Sequence, residues 1–186
     1  MHAFEDLVDR LLRREGFWTR HSVKVTLTKD EKRSLGKPSR PRAELDLIAY
    51  RPATNTLALV ECKSYLDSTG VTIGAFNGTN PKFAERFRLF TDEGFRELVT
   101  NRVLEQLAAT ESIPPKDPSI EYWLIAGHIA PHSIEPLTEL FEQEPRWVLK
   151  DRTWIAESLQ AMRGDEYEDD IVTMAMKLSR HPGAAS

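Results

Sequence analysis

Apolar residues recur at helical spacing from the start of the chain. Phe4, Leu7, Val8, Leu11 and Leu12 predict an amphipathic helix over residues 2–15 that stops at Gly16. Over 17–27 the period changes to two: Val23, Val25 and Leu27 alternate with polar residues, which predicts a strand. Residues 29–42 contain Gly36, Pro38 and Pro41 among charged side chains and predict an irregular polar loop. Two apolar runs follow, 44–50 and 57–63. The stretch between them, Arg51-Pro-Ala-Thr-Asn55, is rich in turn formers, so the pair predicts a hairpin. A stretch over 65–80 rich in Gly, Ser, Thr and Asn precedes an aromatic segment with Phe83, Phe87 and Phe90. Phe95, Leu98, Val99, Val103, Leu104 and Leu107 then predict a helix over about 94–111. The run 120–127 predicts a buried strand. Helices are expected over about 133–143, 153–163 and 168–179, with a short strand at 147–149 after the first.

Antiparallel strands come first and α/β units follow, an order that predicts an α/β fold with a mixed sheet flanked by helices. A length of 186 residues suits a single domain, over 1–186, with a real core. Hydrophobic content of 40% and charged content of 29% fit a folded, soluble protein. No apolar run approaches the roughly 20 residues that cross a bilayer. The first residues lack the basic start and apolar stretch of a signal peptide. Cys62 is the only cysteine, so no internal disulfide framework exists, in keeping with a reducing cytoplasm. A cytoplasmic location without membrane attachment is the expectation. The formal net charge of −4 excludes a general coat for nucleic acid and requires any phosphate binding to be local.

The hairpin carries the unusual chemistry. Glu44 and Asp46 stand two residues apart in the first strand, Glu61 and Lys63 in the second. Side chains alternate along a strand, so each pair projects to one side. Charges within apolar runs are costly to bury unless they are paired or bind a metal. Two carboxylates anchor a magnesium ion that keeps several of its waters, and the carbonyl of Cys62 lies between Glu61 and Lys63 as a further ligand. Lys63, beside Glu61, is placed to contact a nucleophilic water or a phosphate oxygen. The neighbouring acids should raise its pKa, which favours an electrostatic role over that of a free base. Other patterns carry less. His128 and His132 have zinc-like spacing, but Pro131 intervenes and no third ligand supports them. The acidic run at 165–170 reads as a solvated helix start. No phosphate-binding glycine loop or serine-nucleophile signature is present.

The pattern Glu44-Leu-Asp46-Leu-Ile-Ala, followed by Leu59-Val60-Glu61-Cys62-Lys63-Ser64, resembles the core signature of the PD-(D/E)XK nuclease superfamily. That group includes restriction endonucleases, Holliday-junction resolvases and small stand-alone bacterial nuclease-like proteins. The signature's proline position is held by Leu45. The resemblance implies a restriction endonuclease-like αβββαβ core over about 3–129, with a C-terminal extension of strand and helices over about 130–180. It implies that Asp46 and Glu61 hold Mg2+, with Mn2+ as a substitute, and that Lys63 serves the attacking water. Such families also carry a glutamate on the first helix, here Glu5, which would reach the metal through water or orient the nucleophile; a first-turn acid equally stabilises a helix without catalysis. Glu44 is a further neighbour of the site. Gln106 lies where some members place a site-facing glutamine, although the residues alone read it as an exposed helical side chain.

Nucleic acid, DNA above all, is the partner these features imply. Lys29, Lys32, Arg33, Lys37, Arg40 and Arg42 in the loop before Asp46 are the candidate phosphate contacts, weighed against a merely solvated loop. Cutting two strands commonly uses two copies, so a homodimer is a partner to test. The aromatic segment 83–90 and the last helix are its candidate surfaces. The principal reading is a metal-dependent endonuclease. Its competitor is a non-catalytic nucleic-acid-binding or assembly module that keeps the fold.

Overall fold

The computed structural model describes residues 3–35, 43–110, 117–162 and 171–179. Helix α1 (Ala3–Arg14) turns at Gly16, whose φ of +85° suits a residue without a side chain, into strand β1 (Trp18–Val25). A short helix α2 (Lys29–Ser34) follows, then β2 (Ala43–Arg51) and β3 (Thr56–Lys63). The β2–β3 turn is a 3-10 turn over Pro52–Thr54 closed by Asn55 at φ +49°. Beyond β3 come the small helices α3 (Pro81–Ala84) and α4 (Arg88–Thr91) and the long α5 (Glu93–Ala109). The chain then alternates β4 (Ser119–Ala126), α6 (Ile134–Gln143), β5 (Trp147–Lys150), α7 (Arg152–Met162) and α8 (Ile171–Leu178).

The five strands form one sheet in the order β1-β2-β3-β4-β5. The first three are antiparallel, and β4 and β5 add in parallel. This is the expected α/β fold with a mixed sheet, and the charged hairpin occupies its centre. Parallel strands need helical crossovers, so both faces are covered. On one face Leu57 and Leu59 of β3 and Leu124 of β4 pack with Val99, Val103 and Leu107 of α5 and Leu137 and Phe141 of α6. On the other, Leu47, Ala49, Ala58 and Val60 pack with Val8, Leu11 and Leu12 of α1 and Ile155 and Met162 of α7. No described helix is long and apolar enough to cross a membrane.

Two expectations need correction. Residues 29–34 are helical. Thr28 Oγ1 accepts from the Glu31 N–H and the Glu31 carboxylate accepts from the Thr28 N–H, a capping box that offsets the breakers further on. The aromatic segment, in turn, is core and not surface. Phe87 and Phe90 are buried and stack with Phe76, Phe141 and Trp147, leaving only Phe83 substantially exposed. The apolar side chains Ile171 and Met174 of the last helix are exposed.

Candidate active site

The β2–β3 ladder ends at the rung Leu47↔Val60. Continued by one residue it would set Asp46 against Glu61, and there the strands part. The Cys62 N–H, beyond the reach of the ladder, donates to Asp46 Oδ2 at 2.7 Å. A strand residue's N–H and C=O face the same edge, so the Cys62 carbonyl also opens into the gap. The β1–β2 ladder is distorted at the same level. Its register skips the Ser22/Asp46 rung, and Ser22 has φ +46°.

Both strands slip in their inside–outside alternation at this point. Thr19 and His21 point toward α1, where each meets Asp9, whereas Val23 packs against the cluster on the α5 side. Leu47 belongs to the α1 side and Leu45 to the α5 side. Asp46 thus leaves the sheet at a break that frees it from both cores.

The break opens a cleft of about 530 Å³. Asp46, Cys62 and Lys63 of the two central strands line it, with Glu44 of β2 and Ser22 of β1. Phe4 and Glu5 of α1 also line it, and Ser64 and Tyr65 continue from the end of β3. Glu5 is only 8% exposed, yet its carboxylate has no cation or hydrogen-bond donor among the described residues. Asp9, one turn along the same helix, is fully engaged. It accepts from Thr19, pairs with Arg13 at 2.9 Å and lies 3.2 Å from His21 Nε2. Burial opposes its ionisation, but Thr19, Arg13 and His21 prevail and hold its carboxyl below the usual range.

Glu61 does not line the cleft wall. Its carboxylate accepts a hydrogen bond from the Lys63 ammonium, and both side chains are largely buried. Burial drives the Glu61 carboxyl up to about 7, with Lys63 opposing the shift and the charges of Asp46 and Glu5 adding to it. Burial pulls the Lys63 ammonium toward neutrality, but Glu61 and Asp46 outweigh it and hold the group above its ordinary range. The Lys63 ammonium is therefore held in its charged form. Burial and the surrounding acids push the Cys62 thiol up, so Cys62 serves as packing and backbone.

The structure brings together Glu5, Glu44, Asp46, Cys62 and Lys63, with Glu61 directly behind Lys63. It does not bring Gln106, whose Nε2 donates to the Lys24 carbonyl at 3.1 Å and ties α5 to β1. Lys29, Lys32 and Arg33 lie on α2, away from the cleft lining. Arg33 pairs with Asp30, and Glu31 anchors the helix to Arg102 of α5 at 2.6 Å. Lys37, Arg40 and Arg42 fall outside the described residues. Phe4 and Ser22 join the site without any signal in the motif. The sequence around Ser22 reads as plain strand, and only the backbone reveals its role.

Among the described residues no three His, Cys, Asp and Glu side chains form a ready-made cation cage. The donor set fits a lighter anchor. Asp46 keeps one oxygen free of the Cys62 bond, and among the described residues Glu5 has no partner and only Lys63 brings a cation to the cleft lining. That surplus of negative charge suits a hard cation held by one or two carboxylates and water. Compared with family models, curated proteins and solved structures, the chain matches none.

Proposed function

We propose that the protein is a Mg2+-dependent nuclease that hydrolyses phosphodiester bonds, acting as an endonuclease on DNA, in the manner of the PD-(D/E)XK enzymes. The observation that carries this reading is the parting of two interior strands at Asp46 and Glu61, with Glu5, which has no partner among the described residues, lining the opening. In this reading Asp46 and the Cys62 carbonyl would hold the metal, with Mn2+ as a substitute. Glu61, which stands behind Lys63 and outside the cleft lining, would hold the Lys63 ammonium in place instead of binding the ion directly. A divalent ion bound there lowers the pKa of a coordinated water and offsets phosphate charge. Glu5, across the cleft, accepts a hydrogen bond from the attacking water and fixes its direction. The Lys63 ammonium, held charged by Glu61, faces the phosphate oxygen on which negative charge grows. Water adds to phosphorus as its proton passes by way of Glu5 to solvent, the bond to the leaving oxygen breaks, and that oxygen takes up a proton from solvent.

The test is incubation of purified protein with plasmid, single-stranded, branched and RNA substrates in Mg2+, Mn2+ or EDTA. Cleavage that requires the metal and disappears in Glu61→Gln and Lys63→Met supports the proposal. Binding without cleavage under every condition would move the protein to the non-catalytic class.

A further inference from the structure

Two apolar side chains stand in solvent at the catalytic end of the sheet. Leu66 is 61% exposed and Phe83 39%. Leu66 is the third residue after Lys63 and occupies a tight turn. The Ser68 N–H and hydroxyl both bond to the Tyr65 carbonyl, each at 3.2 Å, and Tyr65 itself has φ +44°. A tyrosine rarely adopts that backbone region, so the surrounding structure must impose it. Leu66 is also braced from below. A Cβ built on Gly127 would lie 3.2 Å from Leu66 Cδ2 and 3.2 Å from the Phe4 ring, which shows how closely the two pack over that glycine.

Phe83 belongs to the same end of the molecule. The bridge Val71↔Ile129 carries the β3–β4 pairing past its last rung, Lys63↔Ala126, and so places the chain that leads to α3 beyond the catalytic strand. Phe87, one turn after Phe83, lies under Lys63, whose Nζ is 5.8 Å from the ring centre. The Arg86 guanidinium caps the Phe83 ring at 5.0 Å, and Lys82 and Arg86 are both exposed. Neither Leu66 nor Phe83 belongs to a core cluster.

An exposed aromatic face with cations around it stacks an unpaired base and neutralises its phosphate. A rigid aliphatic prong separates stacked bases. Asp67 beside Leu66 repels phosphate, so this prong presents apolar surface to a base while the backbone is drawn to Lys82 and Arg86. We propose that Leu66 and the Phe83/Arg86 stack receive a nucleotide unstacked from its neighbours next to the scissile phosphate. This rests on the nuclease reading and names its substrate class: nucleic acid with an unpaired base at the cleavage point, in preference to uninterrupted duplex.

Fluorescence anisotropy with the full chain tests it, in Ca2+ to neutralise the cleft acids. The probes are a DNA duplex, the same duplex with one unpaired 2-aminopurine, and a single strand carrying that base. The proposal expects the unpaired probes to bind about 10-fold more tightly than the duplex, with a change in 2-aminopurine intensity. Leu66→Ala and Phe83→Ala should each reduce that preference and leave duplex affinity unchanged. Arg86→Gln, which keeps the ring, should weaken the salt dependence. Equal affinity for all probes, binding to none, or a preference intact in both alanine variants overturns it. Should Leu66→Ala or Phe83→Ala fail to fold, Leu66→Asn and Phe83→Leu take their places under the same criteria. The readout needs no cleavage, so failure of the nuclease reading would show separately, as absence of metal-dependent cutting.

Discussion

Asp46 has two roles that substitution can separate. Its Oδ2 satisfies the Cys62 N–H where the ladder ends, and the residue also lines the cleft. Asp46→Asn keeps an acceptor for the N–H and should unfold in denaturant close to wild type while losing cleavage. Asp46→Ala leaves that N–H unsatisfied and should cost about 1–3 kcal/mol as well. Glu61 makes the pH-dependent prediction. Its carboxyl rises from 4.5 to about 7 in the fold, so between those values the native state holds a proton that the unfolded chain releases. Its contribution to stability is greatest below the ordinary value, declines as pH rises toward about 7 and is level above it. Melting curves of wild type and Glu61→Gln should diverge with pH, by at most about 1.4 kcal/mol per unit. Parallel curves would contradict the burial argument. The three central residues were legible because charges spaced by two inside apolar runs are costly without a purpose. That Glu61 sits behind Lys63 was not legible, since strand spacing gives a side chain's face and not its partner.

The elements carry a different lesson. The hairpin, the helical crossovers and the order of strands follow from apolar periodicity, which buried strands and amphipathic helices both write plainly. The paired slip at Ser22 and Asp46 leaves no such trace, because a serine at φ +46° looks the same in sequence as one in a regular strand. Ser22→Gly should therefore raise stability by up to about 1 kcal/mol in denaturant unfolding, since glycine tolerates that conformation. A loss would mean that the serine hydroxyl stabilises the break. Helix α2 was legible in principle. Thr28 and Glu31 have capping-box spacing, but Gly36, Pro38 and Pro41 shortly after them mask that signal. Because Glu31 also holds Arg102, Glu31→Ala should speed limited proteolysis within 29–34 while the melting temperature of the core stays at the wild-type value.

At the scale of the whole molecule, the sheet places an acidic, half-buried cleft at the end where β2 and β3 part, and packs it from both sides by helices. A fold with surplus carboxylates in one cleft should be stabilised by the ion that neutralises them. Mg2+ at 100 times its Kd would add about 2.7 kcal/mol if it binds only the native state. The rise in melting temperature should vanish in Asp46→Asn and shrink in Glu5→Gln. The most direct measurement is single-turnover cleavage of a nucleic-acid substrate in Mg2+ by wild type and by Asp46→Asn, compared at equal folded fraction. The account predicts cleavage by wild type that EDTA stops, and a rate at least about 100-fold lower in the variant. Equal rates in the two proteins, or no cleavage by wild type in any divalent metal, would contradict it.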